Sequence, residues 1–183
     1  WTVNPDILPN SGTSFTYGVN WGSTNNASVM YWMEGIPGET PFSPNYRTNT
    51  KVVGGTTYWL HHTSQDSFRL SGDLRQKTIE GFGRLGSSGF GGSGRNYAFG
   101  FSRNSYTLTY TTNGGGTVPG GNTVSGVPFE KKLSSYNPGW TSANKTKVVD
   151  GVTYTFAGWF YDVGLNNPVN WDSDRMPNKN LTV

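Results

Sequence analysis

The sequence predicts a β-rich α+β protein built as two small modules in tandem, and three observations lead there. Short β-branched and aromatic runs are punctuated throughout by 26 glycines and 10 prolines, which is how strands joined by tight turns read. One segment, Val127 to Tyr136, carries apolar residues at helical spacing, with Phe129, Leu133 and Tyr136 at i, i+4 and i+7. An eight-residue segment also recurs, as KVVGGTTY from Lys51 and as KVVDGVTY from Lys147. The separation of the copies is too long for a solenoid period and suits two domains.

Composition sets the limits. The chain has 183 residues, a net charge of +3, 14% charged residues and 15% aromatic residues. Low charge argues against disorder. Each aromatic ring buries roughly 150–250 Å², so rings supply the core that scarce aliphatics do not. The absence of cysteine excludes disulfides, thiolate catalysis and cysteine-ligated metal sites. A pI of 9.1 comes from scattered charges, Lys131-Lys132 excepted, so no basic stripe marks a nucleic-acid partner. No apolar run approaches the ~20 residues that span a bilayer, so membrane insertion by this segment is not expected. Opening at Trp1, the chain reads as an excised piece of a longer protein.

Taken in order, Ser28 to Glu34 alternates Val29, Tyr31 and Met33 against Met30 and Trp32, the pattern of a strand. A proline-rich connection leads to Lys51-Val52-Val53 and to a second β-prone run, Thr56 to Leu60. Residues 63–78 have room for a short helix. Gly81 to Gly86 (GFGRLG) has dinucleotide-loop spacing, but SSGFGG follows where a helix N-terminus is needed, so a flexible surface loop is expected. Arg95 to Phe101 is a strand with Tyr97, Phe99 and Phe101 on one face, and Tyr106 to Thr112 another. The helix at 127–136 stops at Asn137-Pro138-Gly139. Lys147-Val148-Val149, the turn Asp150-Gly151, the run YTFAGWFYD and a last strand from Asn180 to Val183 complete the chain. The boundary falls near 103, giving modules 1–103 and 104–183. The four residues from Ser102 to Ser105 make a short joint, which predicts a semi-rigid rod. They equally permit a hairpin in one sheet.

Chemistry-bearing motifs are few. His61 and His62 are adjacent, and on a strand they point to opposite faces, so they do not clamp a metal together. Asp172-Ser173-Asp174 lacks the oxygen ligands of a calcium loop and reads as a pair bonding its own turn. Neither a metal site, a cofactor nor an enzymatic activity is expected. Among the tryptophans, Trp32, Trp59 and Trp159 read as core or near-core. Trp21 and Trp140 lie in polar loops, where a flat ring either anchors the loop or stacks on a sugar.

The second half, from Tyr106 to Val183, resembles the Listeria–Bacteroides repeat, also called the internalin B-repeat. The resemblance rests on YTLTYTTNGGG, on VTYTFAGWFYD with its core of Phe156, Gly158, Trp159 and Phe160, and on PVNWDSDRMPNKNLTV. Two departures stand out: Val152 in place of a glycine before Tyr154, and a longer 127–150 segment. The first half is similar to the diverged module that often precedes such repeats in Gram-positive surface proteins, and Trp1-Thr2-Val3 matches the tail of a preceding copy. The resemblance implies β-grasp-like modules, each a mixed sheet with a short helix. It also implies non-catalytic work in a secreted or wall-anchored protein, as spacer or stalk and as adhesion surface. The partner would be a protein or glycan on a host or neighbouring cell, and the segment would be monomeric within its longer chain. A carbohydrate-binding module using Trp21 or Trp140 is the alternative.

Overall fold

A computed structural model describes residues 26–69, 77–92 and 96–183. These residues are 42% strand and 3% helical, and the helical part is a single 3-10 turn, Leu133–Tyr136. The expected α+β, β-grasp-like modules with a short helix are therefore corrected to all-β units. The segment read as a helix shows why. Val127 is fully buried as the partner of Tyr106 in a strand ladder. Glu130 then adopts φ 62°, a left-handed conformation that no helix continues through. The helical spacing of Phe129, Leu133 and Tyr136 thus spans a strand end, a turn and a 3-10 turn. In the other candidate region, 63–78, residues Gln65–Arg69 form a strand.

Two compact units divide between Arg103 and Asn104. In the first, the strands are β1 (Asn26–Glu34), β2 (Tyr46–Val53), β3 (Thr56–His61), β4 (Gln65–Arg69), β5 (Phe82–Gly86) and β6 (Asn96–Arg103). They form one sheet in the order β2-β3-β1-β6-β5, with β4 also paired to β1. GFGRLG is thereby corrected from loop to strand: Phe82 pairs with Arg103 and Arg84 with Phe101. Alternation along β1 buries Val29, Tyr31 and Met33 on one face, where Tyr31 meets Phe99 and Phe101 at centroid distances of 6.3 and 6.1 Å. The opposite face carries a second cluster of Tyr58, Phe90 and Ala98, with Met30, Trp32 and Val53 against it.

The second unit contains β7 (Ser105–Thr109), β8 (Thr123–Pro128), β9 (Thr146–Val149), β10 (Val152–Thr155) and β11 (Leu181–Thr182). They form a three-stranded sheet, β11-β7-β8, and a separate hairpin, β9-β10. Strands β6 and β7 do not make a hairpin with each other, since β6 pairs with β1 and β5 whereas β7 pairs with β8 and β11. Among the described residues, each unit pairs its first strand in parallel with its last, β1 with β6 and β7 with β11. The second core gathers Leu108, Tyr110, Val118, Val127, Leu133, Trp159, Met176 and Val183.

Candidate functional site

The recurrent octapeptide forms the same object twice. In each copy Lys-Val-Val runs into a two-residue turn and returns. Gly54 and Gly55 have φ 57° and 82°, and Asp150 and Gly151 have φ 49° and 77°. Positive φ at both central residues is the condition for the hairpin turn whose twist matches its strands. Registers coincide as well: Lys51 faces Tyr58 and Val53 faces Thr56, as Lys147 faces Tyr154 and Val149 faces Val152. Cross-strand partners share a face, so each hairpin presents Lys, Val and Tyr together. Val52 and Val148, on the other face, are both 66% exposed.

The two Lys–Val–Tyr faces differ in what covers them. In the first unit Tyr58 is buried against Phe90, edge to face at 4.8 Å, and Lys51 Nζ donates to the Phe90 carbonyl. In the second, Lys147 Nζ donates to the Asn113 carbonyl instead. Tyr154 there is 50% exposed and Val152 53%.

Beside that bare face lies a cleft of about 750 Å³, within the roughly 300–1,000 Å³ common for ligand sites. Its lining includes Asn113, Trp140, Lys145, Lys147, Tyr154 and Phe156, with Trp159, Phe160, Tyr161, Asp162, Val163 and Leu165. The YTFAGWFYD run thus has two roles. Trp159 belongs to the core, in edge contact with Tyr110 at 5.4 Å and Phe156 at 5.3 Å. Tyr154, Phe156, Phe160 and Tyr161 remain exposed or half-buried along the cleft. The sequence reading singles out Trp159 in this run and misses these rings. The available signal was the repeat itself, in which the same tyrosine recurs.

Trp140, the sequence candidate, is half-buried at the cleft and packs against Trp159 at 5.3 Å with a 34° tilt. The Lys145 ammonium lies 4.2 Å from its ring centroid, a cation–π contact. Groups of this chain therefore already occupy the ring, and a sugar stacking on it must displace one. Trp21 lies outside the described residues, as does Trp1-Thr2-Val3. Among the described residues, Trp159 Nε1 and Asp162 Oδ2 are buried with no hydrogen-bond partner from the chain.

Tyr161 donates its hydroxyl to Asp174 Oδ2 at 2.8 Å. Burial first, and then the bond to this carboxylate, pushes its ionisation well above the ordinary tyrosine value. Asp174 also accepts from the Asn170 N–H at 2.7 Å, so it holds its own turn together. The histidines require a correction. Strand β3 ends at His61, alternation lapses, and the two rings sit 4.5 Å apart. His61 Nδ1 is 2.8 Å from Thr63 Oγ1, and no group of three or more His, Cys, Asp or Glu among the described residues is placed to hold a metal. No helix among them is long and apolar enough to cross a membrane. Compared with protein-family models, curated proteins and solved structures, the chain matches none.

Proposed function

We propose that the chain is a non-catalytic segment of a bacterial cell-surface protein, secreted or wall-anchored. It acts as a spacer and, through the cleft of its second unit, as an adhesion surface. The cleft carries this reading: a groove walled by aromatic rings and edged by Asn113, Lys145, Lys147 and several threonines holds a ligand by contact area and by placed hydrogen bonds. Its lining includes a single acidic side chain, Asp162, whose Oδ1 takes the Asn166 N–H at 3.2 Å. Hydrolysis of a glycoside uses two carboxylates flanking the bond, so the lining favours holding over cleaving. The likeness of Tyr106 to Val183 to the internalin B-repeat supports the surface setting. Glycan binding is the second reading, favoured by Trp140 at the cleft and opposed by Lys145 over its ring.

Paired glycan and peptide arrays test the proposal, probed with the chain and with Tyr154→Ser. Retention on either array that falls at least tenfold with Tyr154→Ser supports a binding cleft. Retention on neither, or retention indifferent to the substitution, overturns it.

A further inference from the structure

The first unit holds a pattern for what the second unit's cleft accepts. There the Lys51–Val53–Tyr58 face is covered by the turn Ser87 to Gly92. Phe90 is 5% exposed, and a Cβ on Gly100 would lie 2.1 Å from its ring. A Cβ on Gly89 would lie 2.7 Å from Val53 Cγ1, and one on Gly91 3.4 Å from Lys51 Nζ. Only a glycine-flanked aromatic lies this flat on the hairpin. The lysine takes the carbonyl of the aromatic residue, and the ring meets the tyrosine edge to face.

In the second unit the corresponding carbonyl belongs to Asn113, which is followed by Gly114-Gly115 as Phe90 is followed by Gly91-Gly92. The lysine bond is retained. The ring is replaced by a short amide, and the Asn113 and Tyr154 side chains line an open cleft. We infer that this cleft binds a peptide segment presenting one aromatic side chain between glycines, seated on Lys147 and Tyr154 beside the exposed Val149, the counterparts of Lys51, Tyr58 and Val53, as Phe90 sits on the first hairpin. Charge narrows the class further. Two lysine side chains, Lys145 and Lys147, line the cleft against one acidic side chain, Asp162, which favours a segment carrying an acidic residue beside the ring. This inference rests on the adhesion reading and specifies its ligand as peptide rather than glycan.

The test is an NMR titration of the 15N-labelled full chain with capped Ser-Asp-Gly-Phe-Gly-Gly, with the same peptide carrying alanine for phenylalanine, and with a chitin oligosaccharide. A free hexapeptide forgoes the tethering that holds Phe90, so millimolar affinity is the expected scale. The phenylalanine peptide is expected to shift the Trp140 and Trp159 indole resonances saturably and at least tenfold more tightly than the alanine peptide. Tyr154→Ser in the chain should weaken it by a similar factor. Equal binding of the two peptides, or shifts confined to other regions, overturns the inference. Cleft shifts with the oligosaccharide alone overturn the peptide assignment and leave the adhesion reading standing. No cleft shift with any probe sinks the peptide inference, whereas a Tyr154-dependent signal on the arrays still decides the broader reading.

Discussion

Arg103 donates its backbone N–H to Glu34 Oε2 at 2.9 Å and its Nε–H to the Glu34 carbonyl at 3.0 Å. The end of β6 is thereby fastened to the end of β1, its parallel neighbour. Arg103 is 8% exposed, and its guanidinium lies 4.7 Å from the Phe82 ring centroid and 5.3 Å from that of Trp59 and reaches the Tyr46 hydroxyl at 3.2 Å. A planar cation fits this slot in a way a lysine does not. Arg103→Ala should destabilise the first unit by about 1.5–3 kcal/mol, the range for losing hydrogen bonds made by a charged group, here those to the Glu34 carbonyl and the Tyr46 hydroxyl. Arg103→Lys should recover part of the loss and Arg103→Met, which keeps volume, another part. Urea denaturation of the three variants checks the order, and an alanine variant that melts with the parent contradicts the slot.

Strand identity was legible wherever alternation met burial on one side, as in Val29, Tyr31 and Met33. It failed where local spacing and long-range pairing disagree. Phe129, Leu133 and Tyr136 fall on one helical face, yet Val127 is claimed by Tyr106 in the β7–β8 ladder, and a glutamate at positive φ ends any helix. GFGRLG reads as a surface loop once no helix follows it, yet Gly83 and Gly86 sit opposite Ser102 and Gly100 in the ladder. The hairpin repeat was visible in eight letters. What covers each copy was not, because Phe90 and Asn113 lie far from their lysines along the chain. Trp140 was singled out on its polar flanks and does reach the cleft. Tyr154 does not stand out because it sits in a run that supplies a core tryptophan five positions later, at 159.

Phe90 and Gly100 form the second test. Phe90→Ala empties the contact between the turn and the hairpin and should cost about 3–5 kcal/mol. Gly100→Ala should also destabilise, since the added methyl meets the ring at 2.1 Å and either the ring or the strand must shift. Combining the two should cost less than the sum, because removing the ring makes room for the methyl. Strict additivity in a double-mutant cycle counts against the contact.

Trp159 and Tyr154 should respond in opposite ways although five residues separate them. Trp159→Ala removes a ring that is 6% exposed and should cost about 3–5 kcal/mol. Tyr154→Ser alters a half-exposed ring and should stay within about 0.5 kcal/mol of the parent. Calorimetric melts separate the cases: comparable losses for both would mean that Tyr154 is structural and that the cleft is part of the fold's packing.

The last prediction concerns alkaline pH. Burial raises the ionisation of Tyr31, Tyr58, Tyr110 and Tyr161 above the ordinary value of 10.0. For Tyr161 the hydrogen bond to Asp174 adds to it, because a phenolate there loses its donor and faces a carboxylate. A tyrosine whose folded-state ionisation lies above its unfolded value keeps its proton in the native state while the unfolded chain releases one. These groups therefore contribute stability that is complete below pH 10 and is lost as the pH rises above it. Native-state absorbance at 295 nm should show these four phenols ionising later than a free tyrosine, and urea midpoints should fall between about pH 10 and pH 12. Tyr161→Phe removes the donor and its titration together. It should lower the midpoint at pH 7 by leaving Asp174 one partner short, and it should flatten the alkaline decline. An unchanged slope above pH 10 in that variant excludes Tyr161 as a source of the pH dependence.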